Sequence, residues 1–115
     1  MIRKAEECKV EYREKMREGN GTVQITNFAS AQELNDKGRL FGKITLNPGC
    51  SIGYHIHEKD TELFYIIKGT AVYTDGDTDK VVTAGDVTIC PTGTGHSIAN
   101  NTDEVVELIA LIVYP

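Results

Sequence analysis

Three histidines and one glutamate are the residues of this 115-residue chain best suited to chemistry. His55-Ile56-His57 sets two imidazoles two residues apart. In a β-strand such residues point to the same face, so both rings can reach one point. Glu62 follows after a short loop and opens what reads as the neighbouring antiparallel strand, level with the two histidines. His96 lies far along the chain and also opens a strand. Neutral imidazole is the commonest protein ligand for first-row metals, and a single carboxylate lowers the net charge of such a site. Three nitrogens and one oxygen would fill four positions of an octahedron and leave two open for water or substrate, the condition for metal catalysis. The expected cofactor is therefore one divalent transition-metal ion on His55, His57, Glu62 and His96. Manganese, iron, cobalt, nickel, copper and zinc suit this donor set alike, because selectivity comes from geometry and supply. An H-x-H pair alone is weak, and a lone histidine such as His96 can equally be a hydrogen-bonded core residue. The case rests on the four residues taken together.

A framework of glycines surrounds them. Gly49, His55, His57, Glu62 and Gly69 form one spaced group, and Gly85, Pro91, Gly93, His96 and Asn100 form a second. At every one of these positions the chain resembles the two motifs of the cupin superfamily, with a short intermotif stretch similar to that of small single-domain microbial members. The resemblance implies a jelly-roll β-barrel with a metal on the three histidines and the glutamate. It also implies a homodimer and chemistry on a small molecule, of the oxalate-decarboxylation, dioxygenation or sugar-isomerisation type. Physics accounts for the framework as well. Gly49 after Pro48 suits a tight turn with positive φ. Gly69 and Gly85 fall where strands must turn a corner, and Pro91 cannot donate to a ladder. Asn100 reads as a structural residue whose amide bonds loop backbone.

The elements that must position these residues are short strands. From Thr22 onwards Val, Ile, Thr, Tyr and Phe recur in runs broken by Gly, Asn and Asp, with a turn signal every 8–12 residues or so. Nine or ten strands are expected, making an all-β cupin jelly-roll barrel over residues 22–115. Residues 1–21 read as an N-terminal arm, either a short helix or an extended segment. Ser30-Ala31-Gln32-Glu33 has the capping-box pattern and predicts one helical turn ending near Lys37-Gly38. Alternation places Phe64, Ile66 and Ile98 on the faces of Glu62 and His96, as apolar walls or as plain core. Tyr54 and Ile56 point the other way. Leu108, Ala110 and Ile112 alternate with Ile109, Leu111 and Val113, so the last strand is apolar on both faces. A barrel has one interior, so the outer face needs cover from a second copy of the chain or from the arm.

Composition narrows the partners. The formal net charge is -5 and the basic residues are scattered, which argues against nucleic acid and against an anionic membrane surface. The longest apolar run, Leu108 to Val113, is strand-sized, far short of the ~20 residues of a membrane span. Residues 1–18 are charged throughout and carry no secretion signal, and Cys8, Cys50 and Cys90 are odd in number without C-x-x-C spacing. A cytoplasmic location is the expectation. Cys50 and Cys90 read as small buried apolar residues. Asp75-Gly76-Asp77-Thr78-Asp79 resembles the start of a calcium loop, but Lys80 stands where glycine is needed.

Two classes of function remain. One is a metal-dependent enzyme acting on a small carboxylate or sugar-like molecule; the other is a small-ligand or metal-binding module without turnover. No catalytic acid or base is assigned. Glu58 and Asp60, in the loop before Glu62, are expected to face solvent. Arg17 and Tyr12 of the arm could reach the barrel mouth, where a guanidinium suits an anionic carboxylate; otherwise Arg17 is a solvated charge.

Overall fold

The computed structural model describes residues 1–115. Ten strands follow in order: β1 (Lys9–Glu14), β2 (Thr22–Asn27), β3 (Gly38–Leu46), β4 (Ser51–Ile56), β5 (Thr61–Lys68), β6 (Thr70–Asp75), β7 (Thr78–Thr83), β8 (Val87–Cys90), β9 (Gly95–Ala99) and β10 (Val106–Val113). They form two antiparallel sheets, a six-stranded one ordered β1-β2-β3-β10-β5-β8 and a four-stranded one ordered β4-β9-β6-β7. This is the jelly roll anticipated from the strand spacing and the two motifs.

Period-two alternation builds the interior. Leu108, Ala110 and Ile112 of β10 are buried, and Leu108 and Ala110 share one core with Phe64 and Ile66 of β5 and Ile52, Tyr73 and Ile98 of the facing sheet. Cys50 and Cys90 are buried, as expected of small apolar residues. Asn100 is fully buried and ties loops together: its amide donates to the carbonyls of Leu46 (2.9 Å) and Glu104 (2.7 Å), and its oxygen accepts from Thr102. Gly49 takes the positive φ that its turn demands (82°).

The arm resolves as extended chain. β1 pairs in register with β2, from Lys9 opposite Asn27 to Glu14 opposite Thr22, so it adds an edge strand in the plane of the larger sheet. It does not cover the outer face of β10. There Phe41, Tyr65, Val87 and Ile89 stay exposed around half-buried Ile109 and Leu111.

Two local expectations are corrected. The capping box at Ser30 forms, with Glu33 N–H donating to Ser30 Oγ (3.1 Å) and Ser30 N–H to Glu33 Oε1 (2.9 Å). A single turn follows, closed by Leu34 N–H to the Ser30 carbonyl (3.1 Å) and Asn35 N–H to the Gln32 carbonyl (2.9 Å). It stops short of Lys37-Gly38 because Asn35 and Asp36 adopt left-handed backbone (φ 56° each) that cannot propagate a right-handed helix. Glu62 is also not on the strand beside His55 and His57. The 57–60 connection crosses from the small sheet to the large one, so β4 and β5 face each other across the interior. The strand that does neighbour β4 is β9, with His55 directly opposite His96.

Candidate metal centre

The four residues singled out from the sequence converge. His55 Nε2 lies 3.2 Å from His57 Nε2, which is 3.1 Å from His96 Nε2. Glu62 Oε1 lies 3.0 Å from the Nε2 atoms of both His57 and His96. All four ligand atoms fall within 4.8 Å of one another. Three of these candidate ligands come from the β4–β9 side of the barrel and one from β5 opposite.

The other ring nitrogens explain why the Nε2 atoms face inwards. His55 Nδ1–H donates to the Gly53 carbonyl (2.8 Å), which can only accept. His57 Nδ1–H donates to the Asp60 carboxylate (2.5 Å). His96 Nδ1 is hydrogen-bonded to the Tyr73 hydroxyl (2.8 Å). With the proton committed to Nδ1, neutral His55 and His57 each present a lone pair on Nε2. Two such lone pairs and a carboxylate oxygen aimed at one point repel unless a positive charge sits among them. Ligand bonds of about 2.1 Å meeting at right angles set neighbouring donors about 3.0 Å apart, which is the spacing seen here. The donor set and its spacing thus suit one divalent ion.

Titration behaviour follows from the same contacts. Burial alone would raise the Glu62 pKa, but where a proton on Nε2 of His57 or His96 takes the place of an ion, its bond to the carboxylate outweighs burial and holds the carboxyl below its ordinary value. The His57 pKa is raised, chiefly by its bond with Glu62. That of His55 is lowered, first by burial, with the charges of His96, His57 and Arg17 adding to the effect. Tyr73 is pushed up to about 12, chiefly by burial, and so stays a neutral hydroxyl.

The supports of the cluster were largely missed from the sequence. Asp60 was expected in solvent; it is 6% exposed, bonded to His57 and paired with Arg39 Nε at 2.8 Å. Glu58 is exposed as expected. A carboxylate three residues after a candidate ligating histidine, in the turn leaving a strand, was the available signal. Tyr73 gave none, since it reaches His96 only through the pairing of β6 with β9. Phe64 stacks on the His96 ring, with centroids 5.1 Å apart and planes 17° from parallel, so it walls the cluster as well as filling the core.

A cavity of about 160 Å³ opens above the cluster, lined by His55, His57 and Glu62, by Ile25, Leu40, Ile44 and Ile52, and by Arg13, Arg17 and Arg39 at its rim. Its lining combines isoleucine and leucine side chains with converging polar and charged groups, a character compatible with a small-molecule site. Arg17 of the arm does reach this mouth, whereas Tyr12 is not among its lining residues.

Comparison with known proteins places these features. Residues 42–114 match the cupin-domain family. An oxalate-binding protein of Thermotoga maritima is 35% identical over 113 residues, spanning 98% of this chain and 93% of the relative. The crystal structure of a predicted oxalate decarboxylase from Thermotoga maritima, also 35% identical, superimposes over 100% of both chains with a TM-score of 0.95. The cupin domain of Schizosaccharomyces pombe Cnp3, at 18% identity, covers 81% of this chain and 61% of its own with a TM-score of 0.73, and shares the fold.

Proposed function

The chain belongs to the cupin-domain family, and from that premise we propose that it holds one divalent transition-metal ion on His55, His57, Glu62 and His96 and binds a small carboxylate there. The observation that carries this reading is the convergence of four potential ligand atoms beneath an arginine-rimmed cavity. The ion supplies Lewis acidity, polarising a carboxylate oxygen placed on it. The chain's own residues do the rest. Asp60 and the Gly53 carbonyl fix the tautomers of His57 and His55. Ile25, Leu40, Ile44 and Ile52 exclude water, and Phe64 braces the His96 ring. Oxalate is the first ligand to try, because the 35%-identical relative is an oxalate-binding protein.

The enzyme reading requires turnover of the bound acid, decarboxylation above all, and hence a proton donor near the ligand. Of the acids near the cavity, Glu62 belongs to the cluster, Glu11 is bonded to Arg13 (3.3 Å), and Asp60 is held by His57 and Arg39. That engagement favours binding without turnover. Two measurements decide. Protein purified without chelator is expected to carry about one equivalent of metal, and His57→Ala to lose most of it; unchanged content would refute the centre. Metal-loaded protein given oxalate should show saturable binding, and carbon dioxide release would establish the decarboxylase instead.

The apolar outer face of the large sheet, from Phe41 through Leu111 and Tyr65 to Ile89, fits a second copy of the chain. Sedimentation is expected to show a dimer, and Ile89→Lys a monomer.

A further inference from the structure

Three of the four arginines in the chain, Arg13, Arg17 and Arg39, line the cavity above the cluster, although the protein as a whole is acidic. Arg39 is paired with Asp60 and Arg13 with Glu11, and the remaining arginine, Arg3, is paired with Glu33 far from this mouth. Arg17 alone lacks a carboxylate partner. Its position is held from the backbone. Lys15, Arg17 and Glu18 all have left-handed φ (51°, 55° and 65°), a conformation that non-glycine residues adopt at a cost. The segment stays there because it is docked on β4, the strand that carries His55. A Cβ at Gly53 would lie 1.9 Å from the Arg17 carbonyl oxygen, so only glycine permits the approach. Asn20 and Ser51 exchange bonds beside it, Asn20 N–H to Ser51 Oγ and Ser51 N–H to the Asn20 carbonyl, both 2.9 Å. A strained turn thus holds the Arg17 backbone against β4, and its unpaired guanidinium lines the mouth of the cavity on the His55 side.

We infer that Arg17 recognises the outward-facing oxygens of a small dicarboxylate whose inner oxygens are held at the His55–His57–Glu62–His96 centre, so that the site selects dianions over monoanions. This rests on the carboxylate reading above. The chemistry is that of a planar fork of N–H donors meeting a carboxylate edge. A monocarboxylate chelating through a hydroxyl offers that fork less charge and fewer acceptors.

The test is calorimetric titration of the manganese-loaded protein with oxalate and with glycolate, in wild type, Arg17→Gln and Arg17→Lys. Melting temperature and metal content are measured on each. Arg17→Gln should weaken oxalate binding about ten- to a hundredfold, the size of a lost charge-assisted bond, with glycolate affinity and metal content nearly unchanged. Arg17→Lys should fall between, keeping the charge without the fork. Equal oxalate affinity in wild type and Arg17→Gln overturns the role of Arg17 and leaves the carboxylate site standing. So does an equal loss for both ligands, or a fall in metal content. Failure of loaded wild type to bind either ligand sinks the carboxylate reading itself, and the inference with it.

Discussion

The inner and outer sides of the cluster are built differently. On the inner side His57, Glu62 and His96 are 3%, 5% and 1% exposed, and side chains hold them: Asp60 with Arg39 behind it, Tyr73, and the stacked ring of Phe64. On the outer side His55 is half-buried, its ring is anchored on a main-chain carbonyl, and its neighbour is the docked turn that carries Arg17. Packed side chains fix the inner ligands against all neighbours at once, so their geometry survives small changes in the surroundings. The outer side is fixed by backbone and stays open to solvent. On the proposed reading, both regions would hold the metal, the first would also support the fold, and ligand choice would lie with the second.

Substitutions can break this contrast, beginning with the largest effect. His57→Ala and His55→Ala should both lose most bound metal, but only His57→Ala should also lower the melting temperature of the metal-free protein markedly. It leaves the buried Asp60 without its imidazole, whereas His55→Ala orphans a carbonyl near solvent. Equal melting losses would erase the distinction. Next comes Asp60→Asn, which removes the charge that orients His57 and should cost about 10–100-fold in metal affinity, read by competition with a chelator. An affinity unchanged from wild type would show that packing alone positions the ring. Tyr73→Phe is smaller. It strips the partner from His96 Nδ1 and should destabilise the fold by about 1–3 kcal/mol in denaturant titration. The smallest effect belongs to a control far from both sides, Glu33→Gln. Arg3 holds the Glu33 carboxyl down at about 2, first through their hydrogen bond. A depressed folded-state pKa contributes stability above the ordinary carboxyl value of 4.5 and loses it as the pH falls through about 2. The pair is exposed and screened, so wild type should be only slightly more stable than Glu33→Gln near neutrality and equal to it in strong acid, with metal affinity the same throughout.

Much of the fold was legible because alternation and turn residues are local signals. Phe64, Ile66 and Ile98 fall on the inner faces as the period of two requires, and the two spaced glycine groups single out the four candidate ligands together. What failed was non-local. A short connection between two strands reads by default as a hairpin, and only the closed sandwich shows that residues 57–60 carry the chain from one sheet to the other. That crossing turns Asp60 inwards, which is why its burial could not be foreseen from a charged loop. The arm was open between helix and strand because its own pattern is weak. The free edge of β2, with donors and acceptors to satisfy, decided for the strand.

Because the ligands come from opposing layers, an ion bound by all four would act as a rivet through the sandwich. Prising the layers apart would then mean breaking coordination bonds as well as exposing the apolar interior. Resistance to heat becomes a function of how much free metal the surroundings supply, rising with the logarithm of its concentration above the dissociation constant.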